Sequence, residues 1–153
     1  MLFLSTYKNK IDKKGRVSVP SSFRNALLKE EYPGVIVYES INNKCIEACS
    51  LSRIEQLNDT IDSLDPYSDE RDAFATIILG GSVQLSFDSE GRILLPEPLI
   101  EFALLSEYAC FVGKGRTFEI WNPKEYENYY SKAKEMAVKN KGALRFYRGG
   151  ESR

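Results

Sequence analysis

The chain of 153 residues contains no histidine, one tryptophan and only three cysteines. Without histidine it cannot build a Ser-His-Asp or Cys-His nucleophile, and it lacks the usual general base near neutral pH. Cys45, Cys49 and Cys110 show no C-x-x-C spacing, so they predict buried structural thiols and no metal site. We therefore expect a protein that is not an enzyme and carries no cofactor.

Long apolar runs are absent as well. The most apolar stretch, residues 73–81, is far too short to cross a bilayer. Residues 1–7 lack the charged segment and long apolar core of a signal peptide. These features predict a cytoplasmic protein without membrane contact.

The net charge of −1 conceals an uneven distribution of charge along the chain. Residues 1–30 carry seven Lys and Arg against two acidic residues, and residues 131–153 carry the same numbers. Residues 31–130 carry seven basic residues against eighteen acidic ones. Basic charge at the two ends indicates a polyanionic partner that contacts one surface of the protein.

One motif occurs twice, in residues 11–20 and again 76 residues later in residues 87–96. Four residues recur at the same offsets, as the pairs Asp12/Asp88, Gly15/Gly91, Arg16/Arg92 and Pro20/Pro96. Asp caps backbone amides in turns, and Gly supplies a positive φ at a turn or bulge. The motif therefore predicts a strand, a tight turn, a second strand and a helix entry, built twice.

The repeat organises the predicted elements into an α+β chain with four segments. Residues 5–52 form repeat 1, residues 53–80 a helical connector, residues 81–124 repeat 2, and residues 125–153 a C-terminal helix and basic tail. Hydrophobic periodicity predicts a short helix after Pro20 with a serine as its N-cap, and longer helices capped by Ser50 and Ser68. Short strands are predicted at residues 7–11, 35–39, 45–48, 82–87, 92–95, 108–112 and 117–121.

The two Asp-x-x-Gly-Arg turns, each followed by apolar residues, Pro and a short helix, resemble the MraZ family of bacterial transcription regulators. Each half is also similar to the swapped-hairpin β-barrel of the AbrB and MazE type. The resemblance covers residues 5–130 and implies a duplicated barrel with short flanking helices. It also implies a ring-shaped homo-oligomer that binds direct repeats in double-stranded DNA upstream of the division and cell-wall genes. Such a protein is expected to act as a repressor and to be associated with the nucleoid.

Basic residues distinguish the first copy from the second. The candidate DNA contacts all lie in copy 1: Arg16 as the specific contact, Arg24 as its support near the same turn, and Lys8, Lys10, Lys13 and Lys14 as phosphate contacts. The matching positions of copy 2 hold Gln84, Ser86, Ser89, Glu90 and Ile100. Asp12, Gly15, Asp88, Gly91 and Arg92 are interpreted as the structural turn motif.

Two alternatives remain open from the residues alone. Each Asp–Arg pair can be a local ion pair that rigidifies a hairpin, and the lysines can be ordinary solvated charges. The chain can accordingly be a non-enzymatic structural or protein-binding ring, similar to an antitoxin scaffold. The position of the basic charge distinguishes this reading from a DNA-binding regulator.

Overall fold

The computed structural model describes residues 1–146 and divides into two compact units, Met1–Pro123 and a second that begins at Lys124. The strands are β1 Thr6–Lys10, β2 Arg16–Ser18, β3 Val35–Glu39, β4 Ile46–Cys49, β5 Val83–Leu85, β6 Arg92–Leu94, β7 Tyr108–Gly113 and β8 Phe118–Trp121. The helices are α1 Ser21–Leu28, α2 Leu51–Asp62, α3 Asp69–Phe74, α4 Glu97–Phe102 and α5 Pro123–Lys139. A π-helical turn, Ala75–Leu79, follows α3, and a 3-10 turn, Lys141–Ala143, follows α5.

Six strands form one antiparallel sheet in the order β1-β7-β8-β4-β3-β5, and β2 and β6 form a separate two-stranded ribbon. The sheet and the short helices confirm the predicted α+β class. The described residues do not form one continuously hydrogen-bonded barrel, because β1 and β5 are the edges of the sheet. The tight turns after β1 and β5 direct β2 and β6 out of the sheet and against each other.

The two halves of the chain exchange strands. The first strand of the first half, β1, pairs with β7 of the second half, and the first strand of the second half, β5, pairs with β3. At the centre β4 pairs with β8, where Glu47 lies directly opposite Glu119. The pairing is therefore approximately two-fold symmetric, and neither half completes a sheet with its own strands.

The main core contains side chains from both halves. Phe3, Phe23, Phe111 and Phe118 are fully buried, and the ring of Phe118 lies 4.9 Å from that of Phe3 and 4.8 Å from that of Phe23. Alternate residues of each strand face this core, as period-two burial requires. A smaller cluster around Ile36 and Ile61 packs between the opposite face of the sheet and α2.

Two of the three predicted helix caps are confirmed. The hydroxyls of Ser50 and Ser68 accept hydrogen bonds from the backbone N–H groups of Arg53 and Arg71, each at 3.2 Å. The predicted serine cap of α1 is wrong, because Pro20 occupies the N-cap without a side-chain hydrogen bond. Proline holds φ near the helical value, so it can initiate the helix by its own backbone constraint.

The predicted structural thiols are confirmed: Cys45, Cys49 and Cys110 are buried and unbridged. Burial raises the pKa of Cys49 to about 12, so the thiol stays protonated at neutral pH. Within residues 1–146 the structure has no helix with both the length and the apolar character that a membrane span requires. The end of the predicted basic tail, residues 147–153, lies outside the described residues.

Candidate nucleic-acid interface

The first Asp-x-x-Gly-Arg turn is closed by the side chain of Asp12. Its Oδ1 accepts hydrogen bonds from the backbone N–H groups of Lys14 and Arg16, both at 2.9 Å. Its Oδ2 accepts from Nε of Arg16 at 2.7 Å. These bonds hold the pKa of Asp12 below its ordinary value, with the Arg16 backbone N–H as the largest cause.

The second turn repeats this arrangement. Oδ1 of Asp88 accepts from the backbone N–H groups of Glu90 and Arg92, both at 2.9 Å, and Oδ2 accepts from Nε of Arg92 at 2.8 Å. The backbone N–H of Arg92 is the largest cause of the lowered pKa of Asp88. The recurring Asp and Arg therefore build the same turn twice.

Glycine is required in both turns. Gly15 and Gly91 are buried and have φ values of +87° and +76°, a region that residues with a Cβ rarely adopt. A Cβ on Gly91 would lie 2.7 Å from Cζ of Arg24, and one on Gly15 would lie 3.3 Å from Cδ1 of Ile100. Each turn therefore packs closely against a side chain that follows the other turn in sequence.

The two turns meet in the β2–β6 ribbon. Val17 lies opposite Ile93, and both side chains are buried. Because side chains alternate across a strand, the four remaining residues share the outer face: Arg16, Ser18, Arg92 and Leu94. The Leu94 side chain is 56% exposed, so this face is accessible. Sequence analysis did not identify Ser18 and Leu94, although their spacing of two residues from each Arg was a usable signal.

The two arginines of the ribbon have different ionic surroundings. The guanidinium of Arg92 contacts Asp88 at 2.8 Å, Glu90 at 2.7 Å and Asp12 at 4.0 Å. These contacts raise the pKa of Arg92, and the hydrogen bond that Arg92 donates to Asp88 contributes most. Among the residues that the structure describes, Arg16 forms an ion pair only with Asp12. The position equivalent to Glu90 is Lys14, which cannot pair with Arg16.

Arg24 lies at the second turn, so the prediction that it lies near the first turn is wrong. Its side chain is half-buried beside Gly91, and its Nη1 donates to the carbonyl of Val19 at 2.7 Å. Strand exchange explains this position, because α1 follows β2 and β2 pairs with β6. The equivalent Ile100 packs beside Gly15 in an open cleft of about 680 Å³, which Lys13 and Lys14 also line.

The predicted phosphate contacts fall into two groups. Lys13 and Lys14 are exposed in the first turn beside Arg16. Lys8 and Lys10 are exposed on the edge strand β1, where the Lys8 ammonium lies 4.8 Å from the centre of the Tyr108 ring. At about 3.3 Å per strand residue, Lys8 lies roughly 13 Å along the backbone from Asp12. The structure therefore brings Lys13, Lys14 and Arg16 together and leaves Lys8 and Lys10 beside this cluster.

The sequence pattern of one protein family, described as the MraZ protein and antitoxin-like, matches residues 2–72 and 78–148. Proteins named "Transcriptional regulator MraZ" are similar over 94% of this chain and 97% of their own length. The one from Rickettsia canadensis is 56% identical over 144 residues, and the one from Rickettsia rickettsii is 55% identical. A further protein of that name, from Rickettsia bellii, is 54% identical over 145 residues.

The family match covers both copies of the turn motif, and identity above one half extends over nearly the whole chain. The resemblance drawn from the two Asp-x-x-Gly-Arg turns is thereby confirmed. The chain belongs to the MraZ family.

Proposed function

We propose that this protein is a transcription regulator that binds double-stranded DNA in a sequence-specific manner through the outer face of the β2–β6 ribbon. The observation that carries the proposal is the cluster of Lys13, Lys14 and Arg16 on an exposed turn held rigid by Asp12. The names of the similar proteins, transcriptional regulators, support the same function. We accordingly infer a binding protein and not an enzyme.

A two-stranded ribbon that carries an exposed arginine suits DNA recognition. The major groove of B-DNA admits a two-stranded β-ribbon, and arginine bonds guanine O6 and N7 with two parallel hydrogen bonds. Within the Arg16 guanidinium, only Nε donates to Asp12, and no other described residue accepts a hydrogen bond from the Nη groups, which leaves them available to a base edge. Lys13 and Lys14 then contact phosphates, which position the ribbon without reading sequence.

The remaining basic residues extend this interface. Lys8 and Lys10 on β1 supply phosphate contacts beside the ribbon. Arg24 supports the interface from the second turn by holding the backbone of Val19 and covering Gly91. Asp88, Gly91 and Arg92 form the structural counterpart of the first turn.

At the level of the fold, we propose a duplicated swapped-hairpin unit of the AbrB and MazE type. The support is the exchange of β1 and β5 between the halves. The proposed division remains repeat 1 at residues 5–52, connector 53–80, repeat 2 at residues 81–124 and the C-terminal segment 125–153.

We also propose assembly into a ring that binds direct repeats upstream of the division and cell-wall genes, in the cytoplasm at the nucleoid. A single ribbon offers few cations, so several chains on one DNA molecule are needed for high apparent affinity through effective concentration. Light scattering tests this step, and a monomer at micromolar concentration contradicts it.

The deciding experiment is an electrophoretic mobility shift with DNA from upstream of the protein's own coding sequence. We expect a shift that survives an excess of competitor DNA with the same base composition in scrambled order. Equal loss of the complex with specific and scrambled competitors reduces the function to non-specific binding. If DNA causes no shift at low salt, the antitoxin-like description of the family favours a protein-binding ring instead.

A further inference from the structure

The ribbon is nearly two-fold symmetric in its backbone but not in its charge. Both turns have the same hydrogen bonds, and Val17 and Ile93 pair at the symmetry centre. The first turn, residues 12–16, carries three basic side chains and one acidic one. The second turn, residues 88–92, carries one basic and two acidic side chains.

The charge difference between the turns affects the orientation in which the ribbon binds DNA. A ribbon with equal charge on both turns binds a duplex equally well in two opposite orientations, because the two-fold axis exchanges them. Two-fold symmetric proteins accordingly favour palindromic sites. Unequal charge on the two turns makes one orientation more stable than the other.

We propose that the pairs Lys13-Lys14 and Ser89-Glu90 fix the orientation in which each chain lies on DNA, so that each chain reads a non-palindromic sequence. The inference rests on the proposed function and adds the determinant of its directionality. The first turn faces the phosphates, and the second turn lies where phosphate density is lower.

The geometry supports a role for these four side chains in contacts rather than in folding. All four positions are exposed. The hydrogen bonds that close the turns come from the backbone N–H groups of Lys14 and Glu90, not from their side chains. Glu90 instead binds Nη2 of Arg92 at 2.7 Å, which occupies that guanidinium. The side chains can therefore be exchanged without removing a bond that closes the turn.

The structure also shows how the charge of the second turn is limited. Arg24 lies beside Gly91 and so adds one basic side chain to the second turn. The equivalent Ile100 at the first turn adds no charge to Lys13 and Lys14. The second turn is thus close to neutral, whereas the first remains cationic.

Orientation can be measured by cleavage of DNA from a tethered reagent. Asn25 on α1 and Glu101 on α4 are exposed and occupy equivalent positions in the two halves. Each is replaced in turn by cysteine and coupled to iron-EDTA, and the buried native thiols limit coupling elsewhere. The probe is the shortest duplex from the upstream DNA that still binds. Glu101→Cys reports the flank near the first turn, and Asn25→Cys reports the flank near the second.

For the wild-type ribbon we expect each tether to cut one flank of the site, and the two tethers to cut opposite flanks. The preference should be on the order of tenfold, as the loss of one or two phosphate contacts implies. The variant with Lys13→Ser, Lys14→Glu, Ser89→Lys and Glu90→Lys has the same net charge as the wild type. It should cut the opposite flanks with each tether.

A second variant, Ser89→Lys with Glu90→Lys, makes both turns cationic and should cut both flanks nearly equally. Its folding is checked by circular dichroism, as is that of the fourfold variant. If the fourfold variant is folded but cuts the same flanks as the wild type, or loses binding, the inference is wrong. Equal cutting of both flanks by the wild type also overturns it. If the wild type does not bind this DNA at all, the proposed function itself fails and the inference fails with it.

Discussion

The two turns of the ribbon have the same backbone conformation and hydrogen bonds, but their exposed side chains differ in charge. Asp12 and Asp88 accept equivalent hydrogen bonds at nearly equal distances, and Gly15 and Gly91 both have positive φ. The guanidinium of Arg92 contacts three carboxylates, but that of Arg16 contacts one. Duplication has thus kept the residues that determine the backbone while the neighbouring side chains diverged. A shared motif therefore predicts a shared conformation, but only the residues between Asp and Arg indicate whether the turn can contact DNA.

The largest expected difference between the turns concerns their arginines. Arg16→Ala should lower operator affinity by about 1 to 3 kcal/mol per engaged chain, the value of a bidentate base contact. Several chains in one assembly multiply the loss. Arg92→Ala should leave DNA binding largely intact and lower the thermal midpoint, because Arg92 pairs with Asp88 inside the second turn and with Asp12 of the first.

Operator affinity and thermal unfolding are measured for both variants at several salt concentrations. Loss of binding in Arg92→Ala with retention in Arg16→Ala reverses the roles of the two turns. Retention in both means that the turn arginines are structural.

The glycines give the next largest effect. Gly15→Ala and Gly91→Ala should each cost about 1 to 2 kcal/mol of the free energy of unfolding because of positive φ. Gly91→Ala should cost about 1 kcal/mol more, since the new methyl group displaces Arg24 from its bond to Val19.

Gly115→Ala is the matched control for urea unfolding, because Gly115 has φ of +89° and no atom near its added methyl group. If Gly91→Ala costs no more than Gly115→Ala, the contact of Arg24 with the second turn is of no energetic importance.

Unlike the two turns, the centre of the sheet has the same charged residue in both halves. Glu47 faces Glu119 across the centre of the sheet, and burial, followed by repulsion from Glu119, raises the pKa of Glu47. Lys114 lies 3.4 Å from Glu119, and the Trp121 indole N–H donates to Glu119 at 2.8 Å. On the neighbouring strand β3, Tyr38 lies opposite Glu47. The positive charge of Arg53 partly offsets the rise in the pKa of Glu47.

Glu47→Gln should therefore stabilise the protein at pH 7 by up to about 1 kcal/mol, the value of opposed like charges. A raised folded-state pKa means that ionisation of Glu47 disfavours the folded state. The advantage of the variant should accordingly shrink as the pH falls through that raised pKa. Glu55→Gln, at an exposed position of α2, is the control. A constant difference between pH 7 and pH 4 contradicts the assignment.

The smallest effect is expected from single lysines. Lys14→Ser should reduce the slope of log affinity against log salt by about 0.9 per engaged chain, the value of one phosphate contact. Ser89→Ala in the second turn should leave the slope unchanged. An equal change in both variants removes the electrostatic distinction between the turns.

Sequence reasoning predicted the features that depend on local chemistry. Asp12, Gly15 and their equivalents define a turn within five residues, and Ser50 and Ser68 mark helix starts by their own hydroxyls. Most strand limits were within one or two residues of the observed ones, because alternation is a local signal.

The pairing of strands that are distant in the chain could not be predicted from local sequence patterns. Nothing in the periodicity of β1 indicates that its partner is β7, and the position of Arg24 depends on that exchange. The opposition of Glu47 and Glu119 likewise depends on the register of two distant strands. Sequence contrast between the copies did identify the cationic turn, since charge differences need no knowledge of contacts.

The exchange of strands also governs how the chain acquires its structure during synthesis. β1 leaves the ribosome first, yet its partner β7 begins only at Tyr108, after most of the chain has been made. Pairings this distant in sequence fold slowly, because a long loop must close before the contacts form. A nascent chain interrupted before β7 has an edge strand without its neighbour and lacks Phe111 and Phe118 from its core. Such a fragment exposes apolar surface, which favours aggregation and recognition by proteases and chaperones.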